Sequence, residues 1–554
     1  MALALAVSSL TACGGGSGSG STTAAAAPAE TKAAETQSAT LPDIGKVETA
    51  AAGAEVAAEA SGKGAAETSS KDSLIMGYTK EPDSISPGTD SKTNAQMVCQ
   101  MCYDALVGKD PENQSVMVPG IASSWDFEDD GTTLVFHIRD DIKFHDGTPL
   151  TVEDVLFSLD YAVQQGLNAA GASILKSWEA GDDNTVVIHL EYAYKPILQI
   201  LAMPGFSIIS KAFYEKCEAE GTNFGQVENG TGAYILERWT QGDRIVLKAY
   251  DDWHRGTPAI KHVEIVTIPD ETSGALMAEN HEIDFFIGMN SADVDRMMQV
   301  DGLTILNVVS AGTHLAAMNL TREPFKDNLA LREAVAYAMN RDEILEGGMN
   351  GYGKVTPGPV TPGYFGFVED FEPYPYDPEK AKEKLAEAGY PDGLHIVFKT
   401  PSDSWYCNPS QVLCEQLRKV GFDVEIQIQE RATYLQECQN NLDYDMCWYM
   451  TWGDFPDCDP PMWTKFHSSC IGQNMGNWGG LNDPEVDALL LKARTSIDDE
   501  ERIACYKELA EMNKENCWYL FVFTSYNPIC FDSHLKGVVP ITSVLYNPAF
   551  FYWE

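Results

Sequence analysis

Apolar and polar residues alternate along Thr133–Arg139, where Leu134, Phe136 and Ile138 share one face. They alternate again along Thr185–Leu190, Arg244–Ala249 and Val263–Ile268. A two-residue period marks a half-buried strand, so four strands are predicted there. Beyond residue 320 the period lengthens. Asp377-Pro378 offers an N-cap and a proline at the first helical position, Ala381, Leu385 and Ala388 recur at helical spacing, and Gly389 stands where a left-handed C-cap belongs. A strand is predicted at His395–Phe398, then a helix carrying Val412, Leu413, Gln416 and Leu417 that stops at Gly421, then an alternating strand Val424–Ile428. Strand, helix and strand at this spacing form a βαβ unit with parallel pairing. Asp483-Pro484 opens another helix with Val486, Leu489 and Leu490 inward, and Ile503, Tyr506, Leu509 and Ala510 define one more. The class is α/β, without an internal repeat.

The first 72 residues break this pattern. Ala2–Val7 is apolar, Leu10-Thr11-Ala12-Cys13 follows, and Gly14-Gly15-Gly16 comes next, as at the end of a signal peptide. The charged region that precedes such an apolar core is missing, so the natural start is expected upstream of Met1. Residues 1–12 thus read as a signal-peptide remnant and 13–72 as a tether beginning at Cys13. Gly, Ala, Ser, Thr, Glu and Lys dominate the tether, which has no aromatic residue. Such a segment buries too little apolar area to offset its ordering entropy, and as a coil it spans roughly 40–45 Å.

Charge and length narrow the function. Lys and Arg number 38 against 82 Asp and Glu, a net charge of −44, which excludes surface attraction to nucleic acid or anionic membrane. The later apolar runs, Leu520–Val522 and Val544–Phe551, fall far short of the roughly 20 residues of a membrane span. A chain of 554 residues exceeds the roughly 250–300 that one core serves, so more than one domain is expected. Of thirteen cysteines only Cys99 and Cys102 form a C-x-x-C pair, with no second pair at zinc-finger spacing. Export permits disulfides, and a body this large does not need them. His467 and Cys470 read as packing, and His145-Asp146 as turn scaffold. No cofactor or metal is expected.

Four blocks carry a family resemblance. Trp125–Ser158, with turns at Asp130-Gly131 and Asp146-Gly147, resembles the signature of the family 5 extracellular solute-binding proteins, the peptide- and nickel-binding components of ABC importers. Asn229–Tyr234 with Trp239, Gly242 and Tyr250–Trp253 is similar to a second block. Met318–Leu320 with Pro324-Phe325 and Leu331–Asn340 is similar to a third, and Asn477 with Asp483–Asp487 and Arg502 to a fourth. The blocks keep the family's order across Ser73–Glu554. The resemblance implies a two-lobed, periplasmic-binding-protein-like α/β fold of type II, of the large cluster with an extra subdomain in lobe one. Lobe one is then expected at 73–108, 229–308 and 521–554, its subdomain at 109–228, and lobe two at 309–520.

The resemblance also implies a function. Leu10–Cys13 separately resembles the bacterial lipobox, whose Cys is lipidated, so a lipid-anchored monomer, tethered through Cys13 on the extracytoplasmic face, would capture oligopeptides and pass them to a membrane permease without catalysis. In peptide-binding relatives the ligand pairs with strand edges and an aspartate neutralises its α-ammonium. Main-chain hydrogen bonds then give affinity, and a buried cation requires a carboxylate. The corresponding element is Trp452-Gly453-Asp454, which makes Asp454 the ammonium partner. A one-residue shift makes Asp457 the fallback, and Asp459 is the loop's third aspartate. Trp452, Phe455 and Tyr449 would line side-chain pockets, and Tyr78, Thr79 and Glu81 would approach from lobe one. Dipeptide-selective relatives carry an arginine soon after the strand ending near Thr400. Here Pro401–Pro409, which includes Trp405, has no Arg or Lys, so that bidentate clamp is absent, which argues against a strict dipeptide binder and for longer peptides or another solute.

The same family admits a nickel chelate, haem, an opine or an oligosaccharide, although few histidines near the cleft segments weigh against direct metal ligation. A function of another class is a secreted hydrolase using Asp454 and Asp457. It finds no G-x-S-x-G elbow, no P-loop, and at His281-Glu282 no second histidine.

Overall fold

A computed structural model describes residues 71–128, 131–166, 169–453, 455–473 and 476–554. The signal remnant, Cys13 and the tether as far as residue 70 lie outside it. Lys71 and Asp72, assigned above to the tether, belong to the body instead. Lys71 Nζ meets Asp284 at 2.6 Å and lies 3.8 Å from the Trp553 ring centre, while the Asp72 carbonyl accepts from the Lys261 and His262 amides.

One sheet of eleven strands runs through the whole body. Its order is Phe422–Gln429, Leu394–Pro401, Met446–Met450, Leu303–Met318, Tyr519–Asp532, Phe285–Ile287, Ser73–Tyr78, His262–Thr267, Arg244–Ala249 and Tyr234–Thr240, with Gly353–Val355 added alongside Tyr519–Asp532. The first three strands are mutually parallel, as are Phe285–Ile287, Ser73–Tyr78 and His262–Thr267. The two long strands between these sets, Leu303–Met318 and Tyr519–Asp532, pair antiparallel with each other. They carry the chain from one lobe to the other.

Alternation along these strands builds the cores. Ala316 and Met318 enter a core with Val335, Phe398, Leu413, Trp448 and Val522. Leu315 and Ala317, on the opposite face, pack with Cys447, Tyr449, Trp478, Tyr506 and Phe521. Lobe two therefore has helices over both faces of a largely parallel sheet, as buried parallel strands require. Lobe one has its own cores, around Met76, Leu247, Val263 and Ile529 on one face and Ile268, Phe286 and Cys530 on the other. Val522 and Phe523 pack in lobe two while Ile529 and Phe531 pack in lobe one, so the return crossing falls between them rather than at residue 521.

A further core lies within the antiparallel sheet Ala122–Glu128, Thr133–Ile138, Thr185–Leu190 and Leu175–Ala180, backed by the helix Val152–Gln165. Thr151 and Asp154 close a capping box at the start of that helix. Asp146 holds the adjoining turn, accepting from the Thr148 amide and from Asn229 Nδ2. Gly232 of the second block is a point of backbone approach: a Cβ there would lie 2.5 Å from the Cys102 carbonyl carbon. His467 stacks on Trp463, and the twelve cysteines from Cys99 to Cys530 are all free and buried.

Candidate functional site

Strand register locates the site. Met450, at the carboxyl end of its strand, pairs with His314, just past the bend in Leu303–Met318. Ile287, at the carboxyl end of its strand, pairs with Ile529 in the carboxyl-terminal part of the other long strand. The carboxyl ends of both parallel sets thus point at one place, where the long pair is interrupted between Val309 and Thr313 opposite Tyr526 and Thr524. In α/β sheets ligands bind beyond the carboxyl ends of strands. Here two such edges meet at a break in the ladder.

The break is built from small and hydroxyl residues. Thr313 Oγ1 lies 3.2 Å from Thr524 Oγ1, which donates to Thr356 Oγ1 at 3.1 Å. The Thr313 amide donates to Thr451 Oγ1 at 3.0 Å, and Thr361 Oγ1 to the Ser310 carbonyl at 3.0 Å. These groups are buried, so the bulged backbone finds partners away from water. A Cβ on Gly312 would fall 2.6 Å from the Thr451 carbonyl oxygen, hence the glycine.

Around this break lobe two presents aromatic surface. Trp405 is 39% exposed and Trp452 is 46% exposed, large values for tryptophans beside a core. The helix Ser404–Lys419 begins earlier than the apolar pattern indicated, with Pro409 inside it, so Trp405 and Tyr406 stand in its first turn. Gly453 lies in the same loop as Trp452 and accepts from Tyr364 Oη at 3.1 Å. On the lobe-one side Tyr78 closes its strand as a buried core residue, Thr79 follows half-buried, and Glu81 is bound by Trp239 Nε1 and the Gly242 amide.

Asp454 lies outside the described residues. The other aspartates of its loop are committed elsewhere. Asp457 is buried and pairs with Arg502 at 2.6 Å, while also accepting from the Asp459 amide. Burial raises its carboxyl above the ordinary value even though the guanidinium pulls the other way. Asp459 takes a bidentate pair from Arg494, at 3.0 and 2.7 Å, and a hydrogen bond from Tyr194 at 2.8 Å. Neither carboxylate is free for an ammonium, which corrects the fallback assignment. Tyr449 stacks on Trp478 at 4.3 Å inside lobe two, and Phe455 packs into the core of the subdomain. These two are core residues, not pocket walls.

Two side chains at the site escaped the sequence reading. Pro401 pairs with Gln429, which sets Arg431 beside Asp403 just beyond the strand ends, at 3.5 Å. A cation is therefore present beside the segment that has none of its own. His314 is fully buried, stacks on Phe523 at 4.5 Å and accepts from Trp448 Nε1 at 3.2 Å. Burial lowers its pKa to about 3, so the ring is neutral. No group of three or more metal-ligating side chains gathers among the described residues.

This arrangement defines a two-lobed binding protein whose cleft opens at a two-stranded hinge. Residues 116–473 match the family described as bacterial extracellular solute-binding proteins, family 5 (middle). The chain belongs to that family, the substrate-binding components of ABC importers. The glutathione-binding protein GsiB of Escherichia coli (strain K12) is 28% identical over 432 residues, covering 76% of this chain and 83% of its own length. Among solved structures, HbpA2 from Haemophilus parasuis superposes with a TM-score of 0.82 at 23% identity, over 87% of this chain and 100% of that one. The ABC transporter-associated binding protein DppA from Helicobacter pylori, in complex with peptide STSA, gives 0.69 at 24% identity, over 87% and 98%.

Proposed function

We propose that this chain is a lipid-anchored extracytoplasmic receptor that captures oligopeptides between its lobes and delivers them to a membrane permease, without catalysis. The observation that carries the reading is the convergence of both sets of strand ends on a hinge two strands wide. Lobes joined in this way close by bending, and a ligand that touches both favours the closed form through contacts made only there. Strand ends on both sides suit an extended main chain, and the exposed Trp405 and Trp452 offer surface to apolar side chains. The peptide complex of DppA and the glutathione-binding relative, whose ligand is itself a short peptide, support the same class. With Asp457 and Asp459 held by arginines, we assign the α-ammonium to Asp454.

Calorimetry with tetra-alanine, N-acetyl-tetra-alanine and glutathione tests this. Wild type binds tetra-alanine, acetylation weakens it roughly 30-fold or more, and Asp454→Ala discriminates little between the two forms. Binding of no peptide, or recovery of fragments, overturns the reading.

A further inference from the structure

The subdomain joins lobe two as well as lobe one. Its anchors lie in lobe one: the Ile208 amide donates to the Asp104 carbonyl at 2.8 Å, and the Asp146 amide to Asn229 Oδ1 at 3.0 Å. It therefore travels with lobe one when the hinge bends. Yet its Tyr194 Oη donates at 2.8 Å to Asp459 Oδ2, on the carboxylate that Arg494 holds through two bonds. The next residue, Lys195, meets Asp499 at 2.6 Å. A Cβ on Gly131 would fall 2.7 Å from Ile497 Cγ2, so the first subdomain turn also rests on a lobe-two side chain. The contact is reciprocal. Phe455 of lobe two is buried in a core otherwise drawn, among the described residues, from residues 106–208. This seam is built to part. The Asp459–Arg494 pair, with Arg494 3.5 Å over the Trp463 ring, lies wholly within lobe two. Losing Tyr194 therefore costs Asp459 one hydrogen bond and leaves its charge compensated.

We propose that this seam is a latch, in which Tyr194 and Lys195 hold the subdomain against lobe two and set the fraction of molecules in the closed form. They are positioning residues: they act through where the lobes sit, not through contact with ligand. Contacts made only in the closed form raise its population before any ligand arrives, and apparent affinity scales with that population. The latch therefore tunes affinity for every ligand by one common factor. It rests on the hinge closure of the proposed function, not on the ligand being a peptide.

The test applies small-angle scattering and calorimetry to wild type, the double variant Tyr194→Phe with Lys195→Glu, and Lys195→Arg, with thermal melting as the folding control. The double variant removes the hydrogen bond to Asp459 and sets a carboxylate against Asp499. Without ligand it scatters with a larger radius of gyration than wild type, and saturating tetra-alanine brings both to one radius. It binds tetra-alanine and penta-alanine about tenfold more weakly, by the same factor, since one bond to a charged group shifts a two-state equilibrium by roughly that much. Lys195→Arg keeps the wild-type values. Equal affinity, or a weakening that differs between the two peptides, overturns the latch and leaves closure standing. Tetra-alanine that binds yet compacts neither protein overturns closure itself, and the latch with it. If wild type binds neither peptide, the peptide reading falls and the ligand-free radii decide: an expanded variant keeps the latch, and equal radii overturn it. Should the double variant fail to fold, Lys195→Glu alone decides by the same comparison.

Discussion

Replacing Asp457 by alanine separates a structural aspartate from a ligand-binding one. Its carboxylate sits 2.6 Å from Arg502 Nη2, with the two side chains 6% and 2% exposed. Deleting it leaves a guanidinium buried against Phe365, 4.6 Å from the ring centre, with only the half-exposed Asp499 carboxylate, at 3.8 Å, as counter-charge. It also strips the Asp459 amide of its acceptor. Breaking one side of a buried pair costs on the order of 3–5 kcal/mol, because the surviving ion keeps its desolvation penalty. Asp457→Asn, which keeps shape and an acceptor oxygen, is expected to lose less. Urea unfolding followed by tryptophan fluorescence measures both. Calorimetry on the folded variants completes the test: Asp457→Ala retains peptide affinity within about threefold, whereas Asp454→Ala loses it. An Asp457→Ala protein that unfolds like wild type yet no longer binds peptide would refute the reasoning, since the carboxylate would then face ligand rather than Arg502.

Three further outcomes are expected. Gly312→Ala, whose new methyl would fall 2.6 Å from the Thr451 carbonyl oxygen and 2.1 Å from Met450 Cε, is destabilised by about 1–3 kcal/mol in the same unfolding assay; a wild-type profile would show that the break yields freely. His145 is held between the Glu228 carboxylate and the Gly232 carbonyl, two acceptors that only a doubly protonated ring satisfies. Burial opposes its charge, but Glu228, Gly232 and more distantly Asp104 outweigh burial and raise its pKa. Its stabilisation is therefore complete below the ordinary value near 6.5 and is lost as pH rises through the raised one, so urea midpoints fall with pH and His145→Gln flattens the slope. Expressed behind a secretion leader, Cys13→Ala releases the protein from the membrane fraction; equal retention would remove the lipid anchor from the proposal.

What the sequence made legible was local. The helix Pro378–Glu387 followed from its cap, its proline and its period, since all three act within a few residues. The strands Leu394–Pro401 and Phe422–Gln429 followed from alternation between breakers. The long crossing strands did not, because Ser310-Ala311-Gly312-Thr313 carries hydroxyls and a glycine at the bend and shows no apolar alternation. Nor did the fate of the loop aspartates. Arg502 and Arg494 lie 45 and 35 positions away from Asp457 and Asp459, and only the docking of two helices against the loop brings them in. Arg431 was hidden for the same reason: strand register, not proximity in the chain, sets it beside Asp403. Family blocks identified the architecture because their residues hold turns and strand ends, as Asn319 does by donating to the Leu442 and Tyr444 carbonyls.

The pairing of Ala317 with Tyr519 makes all of lobe two the connection of a single hairpin. Closing a loop of roughly 200 residues costs an unfolded chain about 4–5 kcal/mol in entropy before its first rung forms. A lobe two that has already folded presents both strands side by side and removes that cost, so assembly runs from the inserted lobe outward. During synthesis, then, the amino-terminal lobe waits. Its sheet acquires the Phe285–Ile287 pairing with Ile529–Phe531 only after the last strand has emerged, and a truncation just before residue 519 leaves both lobes without the strand they share.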